Sequence, residues 1–574
     1  MFLFDIFRSF LPLHNPIGFG VSDFILLALA LLLVAMLFAK PWIEALGARL
    51  AQRTLWCMAA LAILPVALRL LLLWHHPAPT PDIYDEFGHL LAADTLRHFR
   101  LANPMHPMHQ FFETFFALQE PSYSSIYPIG QGLALAIGWS VFGLPWAGVL
   151  LSMAAFCGVC YWMLRAWTTP GWALTGGCLA VIEFGPLNRW TNTYFGGFVA
   201  AAAGCLVFGA LPRLRASGRR RDAILLGAGI GLHLLTRPFE TIFLAIAVAL
   251  YFLPAARKPS ELRGLLRLAP VAALALAPAL GITLLQNKQI TGSWTTLPEM
   301  AYQYQYGLPG TLTFQAEAQP HRALTPQQAM AYKMELSFRN GPESVGAYLK
   351  RLEYRVRYYR FFFFAPLYLA LPFFLFGIRD YRTLWVPLAL LTLAFGSNLF
   401  PLFQLHYIAA GTGLFVLMSV AGLERLSRVT VRGTAAGAQC AAIILMLCGA
   451  QFFFWYGMHV FDGSDVSANA LAFETWDIVN HTNPERRVFV RRELDQIPGQ
   501  LLVFVRYYPQ HIFQDEWVYN SADIDGARVV WARDLGAEED QKLLRYYPDR
   551  TPLLLEPDFR PPRLSPYSAG PRSE

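Results

Sequence analysis

The chain has 574 residues, 55% of them hydrophobic and 15% charged, where an ordinary soluble domain carries roughly a quarter charged residues. That balance excludes a conventional soluble enzyme and points to a chain embedded in a membrane. A net charge of +7 would suit nucleic acid, but the arginines, the run Arg219-Arg220-Arg221 included, stand beside apolar segments. There they read as orientation signals, and no nucleic-acid partner is expected.

Met1 to Gly20 has no basic stretch leading into a cleavable small-residue site, so the first span is expected to remain as an anchor. Apolar runs at 22–39, 54–74, 147–165, 171–187, 196–212, 222–236, 239–254, 265–285, 360–378, 383–399, 402–421 and 434–455 predict about twelve spans. If they alternate sides, Arg49, Arg165, Arg213, Arg257, Arg379 and Arg425 collect with their neighbours on one side, the cytoplasmic one by the positive-inside rule. The opposite side receives 75–146, a turn at 188–195, the turn Thr236-Arg237-Pro238, the loop 286–359 and the tail 456–574. Gly130 to Phe142 is apolar but too short to cross a core of about 30 Å, and is read as a helix at the outer surface. The seven cysteines all lie in hydrophobic runs. Cys157-x-x-Cys160 is therefore read as helix packing, not redox or metal chemistry.

The tail differs in kind. Val488–Val490, Leu501–Val505, Ala527–Trp531 and Pro552–Leu555 read as short strands bounded by Pro, Gly, Asn and Asp, with a helix at Glu538–Tyr547. The expected architecture is mainly α. A polytopic bundle over 1–455 is followed by a small extracytoplasmic α/β domain over 456–574, ending in a disordered Pro/Ser-rich tail.

The first outer loop holds the chemistry. Pro81-Asp82-Ile83-Tyr84-Asp85-Glu86-Phe87-Gly88-His89 sets paired carboxylates just past a span, where acids tend to mark a site. Asp82 would cap the helix and Asp85 would sit in its first turn, where the dipole favours an ionised carboxylate. His89, four residues after Asp85, shares its face. Asp85, Glu86 and His89 could together hold a divalent cation, although the loop's histidines match no standard zinc spacing. Downstream, Tyr123 to Gly132 places Tyr127, Gln131 and several hydroxyls beside the acids, a composition suited to a sugar. Tyr302, Tyr304 and Tyr306 alternate with amides, which suits carbohydrate stacking or an edge strand equally. Arg351, Arg355, Arg357 and Arg360 with Tyr354, Tyr358 and Tyr359 read as an interfacial basic-aromatic belt.

This order resembles the GT-C class of membrane glycosyltransferases: one span, an outer loop opening on Asp85-Glu86, the turn Tyr127-Pro128-Ile129-Gly130 with its surface helix, then a long multi-span body and an outer tail. The class includes the protein O-mannosyltransferases and the aminoarabinose transferase of lipid A. The resemblance covers roughly 54–290 well and the rest in layout. It implies an enzyme of the bacterial inner membrane that moves a sugar from a polyprenyl-phosphate donor to a lipid, glycan or protein acceptor on the extracytoplasmic face, by a single inverting displacement. It makes Asp85, with Glu86 beside it, the catalytic or metal-associated carboxylate, with Mg, Mn or Zn as the candidate cofactor. It puts Asn192 where the class commonly has a second Asp, and an amide cannot serve as a base. It gives Arg237 the lipid phosphate, which accepts a guanidinium fork; the competing reading pairs Arg237 with Glu240 or a first-loop carboxylate. Arg189 and His406 complete the candidate binding residues. Two rivals stand against an enzyme. A transporter or flippase predicts charges near mid-span and an inverted repeat, and a non-catalytic assembly protein would act through its tail.

Overall fold

The computed structural model describes residues 21–35, 40–81, 83–339, 343–461 and 485–568. The expected cap Asp82, the first twenty residues and the last six lie outside the described residues.

Every one of the twelve apolar runs contains helix. Among the described residues seven helices are long and apolar enough to cross a membrane: Thr54–Trp74, Trp146–Leu164, Phe198–Ser217, Pro238–Arg257, Pro259–Thr291, Leu405–Ser427 and Ala436–Phe461. Val21–Ala35, Pro170–Phe184, Arg220–Leu234 and Tyr381–Ser397 are helical but only 15 to 17 residues long. The run at 360–378 is broken: Val345–Phe362 and Ala365–Phe376 meet at 111°. Phe361, Phe362 and Phe364 there are core residues, and Phe362 stacks on Phe415 at 4.4 Å. Arg355 is likewise buried, donating to the carbonyls of Ser397, Phe400 and Pro401. These helices make the chain an integral membrane protein of mainly α class.

The Ile129–Phe142 helix exposes Leu133, Ile137 and Val141 at four-residue intervals, the stripe an interfacial helix offers to lipid. Its other face fits closely against its neighbours. A Cβ on Gly138 would stand 2.0 Å from the Gly148 nitrogen, and one on Gly132 2.9 Å from Ala92 Cβ. Small residues thus let it pack on both the Trp146–Leu164 helix and the Tyr84–Arg97 helix.

The C-terminal region is an α/β domain. Its sheet runs 529–533, 501–505, 551–556, 563–566; the first three strands are parallel and the last is antiparallel. The central strand Leu501–Val505 is buried along its whole length, as expected for parallel pairing covered on both faces. Two expectations are corrected. Val488–Val490 belongs to the helix Glu485–Gln496, whose Val490 and Leu494 pack against Leu501, Val503 and Val505. The segment 563–566 of the expected disordered tail is the fourth strand.

The opposite face of the sheet shares a core with the first loop: Leu502, Phe504 and Val530 pack with Leu91, Phe111 and Phe112. Polar contacts pin the seam. Asp94 Oδ2 accepts from the Ala522 amide at 2.8 Å, and Tyr123 donates its hydroxyl to Asn520 O at 3.0 Å. Asp94→Ala would leave that buried amide without a partner, at about 1–3 kcal/mol. Hydrogen exchange is expected to quicken around 520–526 while the protection of the long apolar helices stays unchanged; uniform loosening of the whole chain would contradict this.

Candidate functional site

A cavity of about 200 Å³ opens where the first loop, the second outer turn, the Thr236–Glu240 turn and the 286–359 loop meet. Close backbone approaches bring these parts together. Gly130 donates its amide to Leu235 O at 2.6 Å, and a Cβ there would lie 2.4 Å from the Thr236 side chain. The Tyr-Pro-x-Gly turn is therefore seated on the segment that carries Arg237. Gly88 plays the matching part in the acidic motif. A Cβ there would stand 2.7 Å from the Tyr127 ring, so only glycine leaves room for that ring on the helix surface. The Tyr127 hydroxyl then donates to Asp85 Oδ1, and its ring stacks on His89 at 4.1 Å.

Asp85, His89, Tyr127, Arg189, Arg237, Glu240 and His406 all line the cavity. Burial pushes the Asp85 carboxyl up to about 6, with Glu86 adding to the rise, while the Tyr127 hydrogen bond, Arg237 and Arg189 oppose it. Burial, reinforced by Arg237, holds His89 down at about 3, so it is a neutral imidazole. Arg237 lies over the Tyr407 ring at 5.0 Å. Among the described residues its guanidinium forms no hydrogen bond or ion pair, so the competing pairing with Glu240 or a first-loop carboxylate is not seen there. Arg189 lies 5.4 Å from the centre of the Phe195 ring.

Glu86, Gln131 and Asn192 are not in the cavity wall. Glu86 is fully buried and accepts the Tyr194 amide on Oε1 at 2.9 Å and the Ile83 amide on Oε2 at 3.4 Å. Gln131 Nε2 donates to the Tyr194 carbonyl at 2.9 Å. These two side chains clamp both polar groups of one residue in the second outer turn. Asn192 accepts from Arg69 Nε at 2.8 Å and donates to Asn188 O at 2.9 Å and Pro186 O at 3.2 Å. A carboxylate there could not make the two donated bonds, which is why an amide suits this turn.

The expected metal triad is corrected for the same reason. Glu86 faces Tyr194 and His89 stacks flat on Tyr127. Among the described residues no three His, Cys, Asp or Glu side chains converge to hold a metal ion. Asp85, Glu86 and His89 are therefore not assembled as one cation site. The tyrosine ladder is also absent from the cavity: Tyr302 and Tyr306 are buried and stacked on each other at 4.2 Å.

Several wall residues were not singled out from the sequence. Glu299 and Glu335 add two more carboxyl groups. Burial raises each to about 7; Glu240 adds to the effect at Glu299, and Asp85 and Glu299 at Glu335. Gln286 and Asn287 enter from the end of the Pro259–Thr291 helix. Their one signal in the sequence is an amide pair closing an apolar run. The buried Arg69, within the Thr54–Leu71 helix, is a further omission. It donates to His76 O and Pro77 O as well as to Asn192, anchoring the start of the first loop to the second turn. The arrangement thus sets the Asp85 carboxyl and the Arg237 guanidinium, without an ion pair among the described residues, around one cavity.

An infrared titration of the Asp85 carboxyl, assigned by difference from Asp85→Asn, is expected to show a midpoint near 6. Tyr127→Phe removes a hydrogen bond that favours the ionised form, so its midpoint is expected to move to higher pH. No movement, or movement downward, would contradict the assigned geometry.

No protein-family model matches the sequence, nor does any protein with a curated description. Among solved structures, the chain is similar to ArnT from Cupriavidus metallidurans bound to undecaprenyl phosphate, at 13% identity and a TM-score of 0.48, covering 86% of this chain and 92% of that one. The same protein in the apo state gives 14% identity and a TM-score of 0.47 over the same shares, 86% and 92%. The Archaeoglobus fulgidus oligosaccharyltransferase in complex with Zn and sulfate gives 11% identity and a TM-score of 0.46, over 87% of this chain and 67% of that one.

Proposed function

We propose that the chain is a membrane glycosyltransferase that moves a sugar from a polyprenyl-phosphate donor to a hydroxyl of a lipid, glycan or protein acceptor. The observation that carries this reading is the pairing in one cavity of Arg237, free of any ion pair among the described residues, with Asp85, free of any fold-building role beyond the Tyr127 bond. A guanidinium without a carboxylate partner suits a phosphate. A carboxyl whose pKa lies near 6 suits a general base close to neutral pH.

In the reaction, the acceptor hydroxyl oxygen bonds to the anomeric carbon as the bond from that carbon to the phosphate oxygen breaks. The hydroxyl proton passes to the Asp85 carboxylate. The electron pair of the broken bond leaves with polyprenyl phosphate, whose added charge Arg237 stabilises, assisted by Arg189. His89 and His406, which also line the cavity, contact the donor in this reading. Glu86 and Gln131 are positioning residues, acting through Tyr194. Inversion at the anomeric carbon follows from a single displacement and rests on the class resemblance. The arginine bias of the short loops supports a site on the extracytoplasmic face of the inner membrane.

The test uses full-length protein in nanodiscs with a pool of polyprenyl-phosphate sugars and envelope extract as the acceptor source; undecaprenyl phosphate, the lipid bound in the ArnT structure, is the first binding probe. Asp85→Asn is expected to lower release of polyprenyl phosphate by about 10²–10⁴-fold while leaving binding of undecaprenyl phosphate intact. Arg237→Gln is expected to weaken that binding by about 10–100-fold. Equal release from wild type and Asp85→Asn would remove the base from this position, and unchanged binding by Arg237→Gln would remove the phosphate.

A further inference from the structure

The Pro259–Thr291 helix inverts the usual logic of burial. Its apolar body faces outward, with Leu266 and Leu274 exposed, as a lipid-facing helix should be. Its buried residues are Ala279, Thr283, Gln286, Asn287 and Ile290. Three of these five are polar, and Thr283, Gln286 and Asn287 all line the cavity. Spaced i, i+3 and i+4, they form one face of the helix end.

In each of the three a donor is already engaged within the protein. Thr283 Oγ1 donates to Ala279 O at 2.9 Å, Gln286 Nε2 to Tyr127 O at 3.0 Å, and Asn287 Nδ2 to Trp294 O at 3.1 Å. What the face has left is mainly oxygen. Asn287 is 3% exposed, and its Oδ1 has no hydrogen-bond partner among the described residues. A buried acceptor without a donor is a costly state that a bound ligand can relieve. The cavity adds the carboxyl groups of Glu299 and Glu335, one oxygen of Glu335 being engaged by the Gly310 amide. Gln286 also ties this face to Asp85, because the tyrosine whose carbonyl it holds donates its hydroxyl to that carboxylate.

We propose that this helix end is the sugar subsite of the cavity: its oxygens receive hydroxyl donors of the transferred sugar, so that it selects a neutral polyhydroxylated sugar and rejects a uronic acid. The proposal rests on the lipid-linked-sugar reading above and adds the residues that set its specificity. A sugar lacking the hydroxyl that meets Asn287 leaves the orphaned oxygen unrelieved. A sugar carboxylate meets acceptors and acids instead of donors.

The test is competition binding to the full-length protein in nanodiscs, read by native mass spectrometry. The probes are undecaprenyl phosphate, its glucose, galactose and mannose phosphodiesters, their monodeoxy counterparts and the glucuronic acid phosphodiester. Wild type is expected to hold at least one neutral conjugate about tenfold or more over a monodeoxy counterpart and over the glucuronate. Asn287→Leu is expected to lose that preference while holding bare undecaprenyl phosphate as wild type does. Asn287→Asp, which keeps an acceptor oxygen but gives up the bond to Trp294, is expected to retain the preference. The subsite is overturned if Asn287→Leu weakens the bare lipid and its conjugates alike, or if wild type binds the glucuronate conjugate as well as the neutral ones. Failure of wild type to bind bare undecaprenyl phosphate would instead bring down the lipid-phosphate reading, and the subsite with it; the bare-lipid arm registers that outcome separately.

Discussion

The carboxylate of Glu86 holds the amide of Tyr194 while its neighbour Asp85 is turned to the cavity, and the rest of the site depends on this division between adjacent acids. Backbone groups in an irregular turn at the end of a membrane bundle must find partners inside the protein. Glu86 and Gln131 supply them to Tyr194, and Asn188 supplies one to the Trp190 amide. With the second turn braced in this way, Asp85 sits at the cavity wall with, among the described residues, the Tyr127 phenol as its hydrogen-bond partner. Its raised pKa follows from that isolation.

The same constraint explains why polar residues at the heart of the site carry such different duties. Arg69, in the apolar Thr54–Leu71 helix, is fully buried and finds acceptors in Asn192, His76 and Pro77, with the Trp146 ring 4.6 Å away. Standing in the last turn of that helix, the cation fastens one loop to another. Asn192, the apparent departure from the class pattern, is the acceptor that makes the fastening possible. The departure therefore bears on the architecture of the turn and leaves Asp85 and Arg237 untouched.

Much of this was legible in the sequence because it is carried by local pattern. Apolar runs located the helices, and the Asp85-Glu86 pair, the Tyr127-to-Gly130 turn and Thr236-Arg237-Pro238 each contribute residues that line the cavity. Tertiary facts were not legible. Nothing local distinguishes Asp85 from Glu86; only the position of Tyr194 does. Glu299 and Glu335 belong to a loop whose path depends on packing against the first loop, and the Gln286-Asn287 pair looks like an ordinary helix end until the cavity beside it is seen. Val488–Val490 has strand composition, yet its flanking charges and the spacing of Val490 and Leu494 fit a helix laid on the sheet. Nor does any local pattern show that the sheet of the C-terminal α/β region shares a core with Leu91, Phe111 and Phe112 of the first loop.

The central claim is that one cavity holds the lipid phosphate against Arg237 and keeps Asp85 free beside it. The most direct measurement is an electron cryomicroscopy structure of the full-length protein in nanodiscs with undecaprenyl phosphate. The account predicts phosphate density within hydrogen-bonding distance of the Arg237 guanidinium, the prenyl chain leaving between the helices, and Asp85 still bonded to Tyr127 and facing the phosphate. Phosphate density elsewhere on the protein, with Arg237 instead paired to Glu240 or Glu299, would contradict it.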